Sequence, residues 1–93
     1  MREKQIEQKL FSAVRSHGGI CPKLISPGMD GMPDRLILFP GGHLGFVEVK
    51  APGKTLRPLQ ERRREQLTSL GFMVFVLDDL GQIQRIMEEI SNV

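Results

Sequence analysis

Two strand-like runs on either side of a Pro-Gly-Gly segment constrain this chain more than any other feature. Residues 34–39 (DRLILF) and 43–50 (HLGFVEVK) are rich in branched and aromatic side chains, and Pro40-Gly41-Gly42 separates them. Two such runs joined by a short glycine-containing loop are typical of a β-hairpin. We therefore expect a hairpin at the centre of the fold.

The segments before the hairpin predict a helix and a short strand. Residues 2–17 place five apolar side chains within an arc of about 160° at 100° per residue, which indicates an amphipathic helix. These side chains are Ile6, Leu10, Phe11, Ala13 and Val14. Residues 20–25 (ICPKLI) predict a strand, and Pro22 favours an edge position because proline donates no ladder hydrogen bond.

The segments after the hairpin complete an α/β order. Residues 56–70 predict a helix with one leucine stripe, and the apolar run 72–77 predicts a strand covered on both faces. A last helix is expected from a cap at Asp78 or Asp79 to Ile90. The leucines of the stripe are Leu56, Leu59, Leu67 and Leu70. The predicted order is α-β-β-β-α-β-α, a mixed sheet with a central hairpin flanked by helices, as one domain over residues 1–93.

Composition excludes several classes of protein. The chain is 40% apolar and 26% charged, which is ordinary for a globular protein and unlike a disordered or fibrous chain. Its single cysteine, Cys21, excludes an internal disulfide framework and a multi-cysteine zinc site. No apolar run reaches the roughly 20 residues that cross a bilayer, and the charged N-terminus differs from a secretion signal. We expect a cytoplasmic protein with no membrane partner.

Positive charge is concentrated after the hairpin. Residues 50–64 carry six lysines and arginines against the single acid Glu61, a net charge of +5, so the remaining residues of this +2 chain sum to −3. The basic residues are Lys50, Lys54, Arg57, Arg62, Arg63 and Arg64. Such a cluster attracts a phosphate backbone, although a solvated helix face would carry similar charge.

Two acids of the hairpin are candidates for metal binding. Glu48 and Lys50 share one face of the second run, between valines typical of a core strand. In one hairpin register Asp34 lies opposite Glu48, and in the other Arg35 does. Two facing carboxylates are destabilising unless a cation lies between them, and their oxygens suit Mg²⁺ or Mn²⁺. The main-chain carbonyl of Val49 would be a third ligand, and Lys50 could hold or deprotonate water or stabilise charge on a phosphate.

Two helical residues lie at the edges of apolar arcs. Glu7 falls between the directions of Val14 and Phe11 on the first helix, and Glu3 lies one turn earlier on the same arc. On the second helix Gln60 falls beside Leu67. Each could contact the rim of the sheet, or each could be an ordinary boundary residue.

These residues together resemble a nuclease family. Pro33-Asp34, thirteen intervening residues and Glu48-Val49-Lys50 match the PD-(D/E)XK pattern. The wider pattern comprises Glu7, Gly18-Gly19, Lys23-Leu24, Ser26-Pro27-Gly28, Gly31, Arg35, Gly41-Gly42, residues 46–53 (FVEVKAPG), Leu59-Gln60 and Leu70-Gly71. From about residue 3 to residue 80, the chain resembles the VRR-NUC (virus-type replication-repair nuclease) family, in its small standalone phage or bacterial form.

The resemblance implies a fold and a set of site residues. It implies a restriction-endonuclease-like core and an Mg²⁺-dependent phosphodiesterase, with Mn²⁺ able to substitute. Asp34, Glu48 and the Val49 carbonyl resemble the family's metal ligands. Lys50 matches its lysine and Gln60 its glutamine. Glu7 matches the acidic residue of the first helix, which helps to bind metal directly or through water.

The resemblance also implies a substrate. It implies action on branched DNA, with resolution of Holliday junctions. The small size of the chain favours a two-fold homodimer, since a second copy would enlarge its footprint and supply two symmetric sites. We expect Lys23, Lys54, Arg57, Arg62, Arg63 and Arg64 to bind DNA phosphates. The alternatives are a flap- or end-directed nuclease, a non-catalytic DNA-binding module, and a structural subunit in which Arg35 faces Glu48.

Overall fold

The computed structural model describes residues 1–92 and contains within them three α-helices around a three-stranded sheet. The elements are, in chain order, α1 (Glu3–Ser16), β1 (Arg35–Phe39), β2 (His43–Val49), α2 (Pro58–Ser69), β3 (Val74–Leu77), a short 3₁₀-helix (Leu80–Gln82) and α3 (Ile83–Ser91). The predicted α/β class and order of elements are confirmed.

The sheet is mixed, and β2 is its central strand. β1 pairs with β2 in antiparallel orientation, and β3 pairs with the other edge of β2 in parallel. Because side chains alternate along a strand, Gly45, Val47 and Val49 lie on one face of β2 while Glu48 lies on the other. The central hairpin therefore presents one apolar face and one face with an acid.

Helices α1 and α3 cover the apolar face. Both helices contact β2 and each other. The buried side chains are Ile6, Leu10 and Val14 on α1 and Ile83, Ile86, Met87 and Ile90 on α3. Gly45 allows α3 to approach closely, because a Cβ atom there would lie 2.6 Å from Ile90 Cδ1. The helical spacing read from the sequence thus forms the main core.

The leucine stripe predicted for the second helix is wrong. Within α2 the buried side chains are Gln60 and Leu67, whereas Leu59 is 39% exposed and Leu70, at the C-terminal end, is 68% exposed. Leu56 precedes the helix, which begins at Pro58. Gln60 and Leu67 are seven residues apart and therefore share one side of the helix. That side faces the sheet with an amide and one leucine.

The predicted strand over residues 20–25 is much reduced. This segment makes two isolated antiparallel bridges to β1, which pair Ile20 with Leu38 and Lys23 with Arg35. Pro22 lies between them and contributes its carbonyl, which accepts from the Leu36 N–H at 3.1 Å. Proline has no N–H to continue the ladder. The segment does occupy the edge position that Pro22 predicts.

The last strand is shorter and less covered than expected. β3 begins at Val74, and its first three residues are half-buried, with only Leu77 fully enclosed. Since β3 pairs with β2 alone, its other edge is unpaired in the described part of the chain. An apolar run thus indicated a strand correctly but not its degree of burial.

Across residues 1–92, no helix combines the length and apolar character that crossing a membrane requires.

Candidate active site

The hairpin register brings the two predicted carboxylates together. Arg35 pairs with Val47 and Phe39 with His43, across a turn of residues 40–42. Asp34 immediately precedes β1, so the same register places it opposite Glu48. The Asp34 Oδ2 atom accepts a hydrogen bond from the Val49 N–H at 3.0 Å. The register that would set Arg35 against Glu48 is excluded.

Glu48 is a buried acid with one oxygen left unpartnered. Its residue is 5% exposed, and among residues 1–92 its Oε1 atom has no hydrogen-bond partner. Its Oε2 atom accepts from Gln60 Nε2 at 3.0 Å and lies 3.8 Å from Lys50 Nζ. A buried acceptor without a donor is costly, so this atom is a position where a ligand would be favourable.

The surroundings of Glu48 raise its pKa to about 7. Burial is the largest cause, and the negative charge of Asp34 adds to it, while the Lys50 ammonium acts in the opposite direction. A strongly perturbed carboxyl beside a second carboxyl is characteristic of functional sites. A cation between Asp34 and Glu48 would reverse the repulsion that raises this pKa.

Gln60 links the N-terminus of α2 to the acid. Its Oε1 atom accepts from the Arg57 N–H at 2.9 Å, while its Nε2 atom donates to Glu48. The first bond satisfies a main-chain donor at the helix start, which otherwise lacks an intrahelical partner. Because both ends of the amide are held, Gln60 fixes the orientation of the Glu48 carboxylate.

Glu7 is bound by an arginine of β1. Its Oε2 atom accepts from Arg35 Nε at 3.1 Å, and Arg35 also donates to the Cys21 carbonyl at 2.8 Å. Arg35 shares the Val47 face of the sheet, which α1 covers, whereas Asp34 shares the face of Glu48. Alternation along β1 therefore directs Asp34 and the arginine partner of Glu7 to opposite faces of the sheet.

Glu3 is the acid of α1 that acts on Glu48. Its negative charge contributes to raising the Glu48 pKa. The sequence shows that Glu3 lies one helical turn before Glu7 on the same side of the helix. The angular position of a residue around a helix does not show which turn of that helix lies near Glu48. Within residues 1–92, no three His, Cys, Asp or Glu side chains gather closely enough to hold a metal ion among themselves.

The predicted DNA-binding residues differ in their surroundings. Lys23, Lys54, Arg57 and Arg62 are exposed, and the described residues form no ion pair with them. Arg64 pairs with Glu61 at 3.2 Å on the exposed side of α2. This set leaves four exposed cations available for a polyanion.

Arg63 has a different set of contacts. Its Nε and one terminal nitrogen donate to the Asp30 carbonyl at 3.1 and 2.9 Å, and the other terminal nitrogen donates to Gln66. It therefore fastens the loop before Asp34 to α2. Charge in the sequence could not distinguish this contact from one to phosphate.

Comparison with known proteins yields two extensive similarities. A protein of Acyrthosiphon pisum secondary endosymbiont phage 1, named "Putative nuclease p44", is 49% identical over 85 residues, which are 89% of this chain and 91% of that protein. A solved structure titled "VRR_NUC domain" matches with a TM-score of 0.87 and 29% identity, over 95% of this chain and 97% of that one. No family model matches the chain. Both similarities extend over most of the chain rather than over one motif.

Proposed function

Because this chain belongs to the VRR-NUC family of nucleases, we propose that it is a divalent-metal-dependent endonuclease that cuts branched DNA, Holliday junctions foremost, as a homodimer. The observation that carries the proposal is the facing pair Asp34 and Glu48, with the buried Glu48 Oε1 left without a donor. Among residues 1–92, the one ion pair that either acid forms is that of Glu48 with the Lys50 ammonium at 3.8 Å.

The donor set fits a hard divalent cation. Asp34, Glu48 and the main-chain carbonyl of Val49 would hold it, and all three offer oxygen, which Mg²⁺ and Mn²⁺ prefer. Such a cation, when bound, neutralises charge on a phosphate and lowers the pKa of water. Glu7 would bind the cation, directly or through water, only after its carboxylate has left Arg35, to which it is hydrogen-bonded in the structure.

The other residues of the site would orient the reacting groups and neutralise charge on the phosphate. Lys50 is half-buried, with its ammonium held beside Glu48, and would hold the attacking water or stabilise charge that develops on the phosphate. Gln60 keeps the Glu48 carboxylate in place through its hydrogen bond. The oriented groups would favour in-line attack of water on a phosphodiester, which is the hydrolysis that a nuclease performs.

Exposed cations beside the site would bind the DNA backbone. Lys54, Arg57 and Arg62 flank or belong to the start of α2, the helix that carries Gln60. Lys23 lies on the edge segment, paired with the residue that follows Asp34. Contacts of this kind position DNA without reading its sequence, so we infer selectivity for DNA shape.

The homodimer is supported by the unpaired edge of the sheet. Phe72 and the half-buried residues of β3 border a groove of ≈580 Å³ between the ends of α2 and α3. A second copy packed there would cover this apolar surface, and two-fold symmetry would present two sites for paired cuts across a junction. A flap- or end-directed monomer is the competing possibility.

Cleavage of end-labelled DNA tests the proposal. The substrates are a four-way junction, a 5′ flap, a plain duplex and a single strand, each with Mg²⁺, Mn²⁺ or EDTA. We expect metal-dependent cutting, strongest on the junction, that falls at least 100-fold in Glu48→Gln. Glu65→Gln, which removes an exposed acid of α2, is the matched control and should cut normally.

The outcomes separate the alternatives. Cutting restricted to flaps or ends would contradict junction resolution. Sedimentation of the protein at the assay concentration tests the homodimer, and a mass of one chain would contradict it. Metal-independent cutting, or full activity of Glu48→Gln, would overturn the assignment of the site. Binding of DNA without cutting of any substrate would leave the non-catalytic module.

A further inference from the structure

A groove beside α1 shares only Glu7 with the residues proposed for the active site. It measures ≈550 Å³, within the range of sites that bind small molecules or parts of larger ones. We call it the α1 groove, and its lining residues are Lys4, Glu7, Gln8, Phe11, Ser12 and Arg35. None of the basic residues already considered for DNA binding belongs to it.

Phe11 is exposed in this groove although its helical position predicts burial. It lies at the end of the apolar arc of α1, yet 39% of the residue is accessible, while Ile6, Leu10 and Val14 form the buried stripe. The Arg15 guanidinium lies 5.7 Å from the centroid of the Phe11 ring. An aromatic surface and a positive charge therefore occur together at one exposed place.

The charges of the α1 groove favour an anion. Lys4, Phe11 and Arg15 fall within about 40° of one another around the helix at 100° per residue, so they form one stripe. Arg35 also lines the side of the groove, but Glu7 balances its charge, so Lys4 and Arg15 carry the excess positive charge. Glu7 is the one acid among the lining residues, and its carboxylate is already paired with Arg35 at 3.1 Å. The net charge around Phe11 is positive.

We propose that the α1 groove binds an unpaired nucleotide of the DNA substrate, with its base stacked on Phe11 and the adjacent phosphates against Lys4 and Arg15. An aromatic ring with flanking cations is how proteins bind single strands without sequence preference. A paired base in a duplex has both faces covered by its neighbours, so stacking requires a nucleotide that has left the helix. The inference rests on the proposed function, since DNA is taken as the substrate.

The α1 groove is adjacent to the candidate active site across β1. Arg35, at its side, directly follows Asp34, and alternation places the two side chains on opposite faces of the hairpin. A strand that passes the end of β1 would therefore reach both places. Branched DNA exposes unpaired or unstacked nucleotides at its branch point, so this contact would favour branched over continuous duplex DNA.

Fluorescence of a single tryptophan tests the stacking. The chain contains no Trp and no Tyr, so Phe11→Trp supplies the sole indole. Leu70→Trp, at an exposed apolar residue outside the α1 groove, is the control. In EDTA, DNA with a single-stranded tail is expected to quench the emission of Phe11→Trp. A blunt duplex of equal length should leave it nearly unchanged, and neither DNA should quench Leu70→Trp.

Binding measurements give an independent readout. Phe11→Leu keeps an apolar side chain of similar size but removes the ring. We expect it to weaken binding of tailed DNA by roughly tenfold, as for loss of one stacked base, and to change duplex binding by less than twofold. Thermal unfolding of Phe11→Leu establishes that the variant is folded.

The results distinguish this inference from the proposed nuclease activity. Equal quenching of the two tryptophan variants, or unchanged binding of tailed DNA by Phe11→Leu, would overturn the α1 groove as a nucleotide site even if metal-dependent cutting is normal. Selective quenching in EDTA together with no cutting in any metal would support the groove and contradict the nuclease. Quenching by blunt duplex as strong as by tailed DNA would overturn the requirement for an unpaired nucleotide.

Discussion

The unusual chemistry of this molecule is concentrated in one carboxyl group. Glu48 is held by strand pairing in a place where burial and a second acid oppose its charge, while the Lys50 ammonium and a hydrogen bond from Gln60 favour it. A fold maintains such a group against its energetic cost when the group serves function. The physical consequence is a protein whose stability without metal depends on pH.

The metal-free protein should lose stability as pH rises. The folded pKa of Glu48 is about 7, above the ordinary value of 4.5, so the folded state holds the proton more tightly than the unfolded state. The resulting stabilisation is full below about pH 4.5 and is lost as pH rises through about 7. Glu48→Gln has no carboxyl group to ionise at this position. In EDTA, we therefore expect it to raise the melting temperature above that of the parental protein more at pH 8 than at pH 5. Thermal unfolding at both values measures it, and an equal change at both would contradict the raised pKa.

A glycine in the loop before Asp34 allows a second prediction at a single residue. Gly31 has a φ of +83°, and a Cβ atom there would lie 2.6 Å from the Leu59 main-chain oxygen. Both the backbone conformation and the space therefore exclude a side chain. We expect Gly31→Ala to lower the free energy of unfolding by about 1–3 kcal/mol. Gly28→Ala is the control, since it has the same φ but open space, and an equal loss there would show that the Leu59 contact is unimportant.

Among the helices and strands, a turn motif between two strand-like runs predicted the structure better than the apolar face of a single helix did. The hairpin was predictable because its glycine turn and its two runs agree. Its register was not, because the sequence allows Asp34 or Arg35 opposite Glu48 and only the three-residue turn of the structure decides between them. The leucine stripe of α2 failed because a polar residue, Gln60, takes the position facing the sheet to hydrogen-bond Glu48. The partner of Glu7 was not predictable, because it depends on which face of β1 meets α1.

Arg35 joins three elements, and its loss should be costly. It contacts Glu7 on α1 and the Cys21 carbonyl on the edge segment while belonging to β1. Arg35→Met would leave an acid and a carbonyl without their donors, and we expect a loss of about 1–3 kcal/mol in urea unfolding. Arg85→Met is the control, because its pair with Glu89 at 4.0 Å is exposed and should contribute well under 1 kcal/mol. Equal losses in the two variants would contradict a joining role for Arg35.

The whole molecule is electrostatically divided. A net charge of +5 lies within residues 50–64, and the remainder sums to −3. The structure refines this division, because Arg63 is bound to the loop before Asp34 and Arg64 to Glu61. Of the four cations left for DNA, Lys54, Arg57 and Arg62 lie at or near the start of α2, the helix that carries Gln60 to the carboxylate pair. The affinity for DNA and the position of the cut therefore depend largely on the same end of one helix.

This arrangement predicts how salt weakens DNA binding. Each phosphate neutralised on duplex DNA contributes about −0.9 to the slope of log affinity against log salt. Replacing Lys54, Arg57 and Arg62 together by Gln should therefore reduce the slope by about 2 to 3. Lys9→Gln, an exposed cation on α1 away from the Phe11 stripe, should change it little. Arg63→Gln should instead lower stability more than the slope, because its guanidinium holds the Asp30 carbonyl. Titration of labelled duplex in EDTA at several salt concentrations measures these slopes without cleavage. A triple variant with the parental slope would show that DNA binds to another face of the molecule.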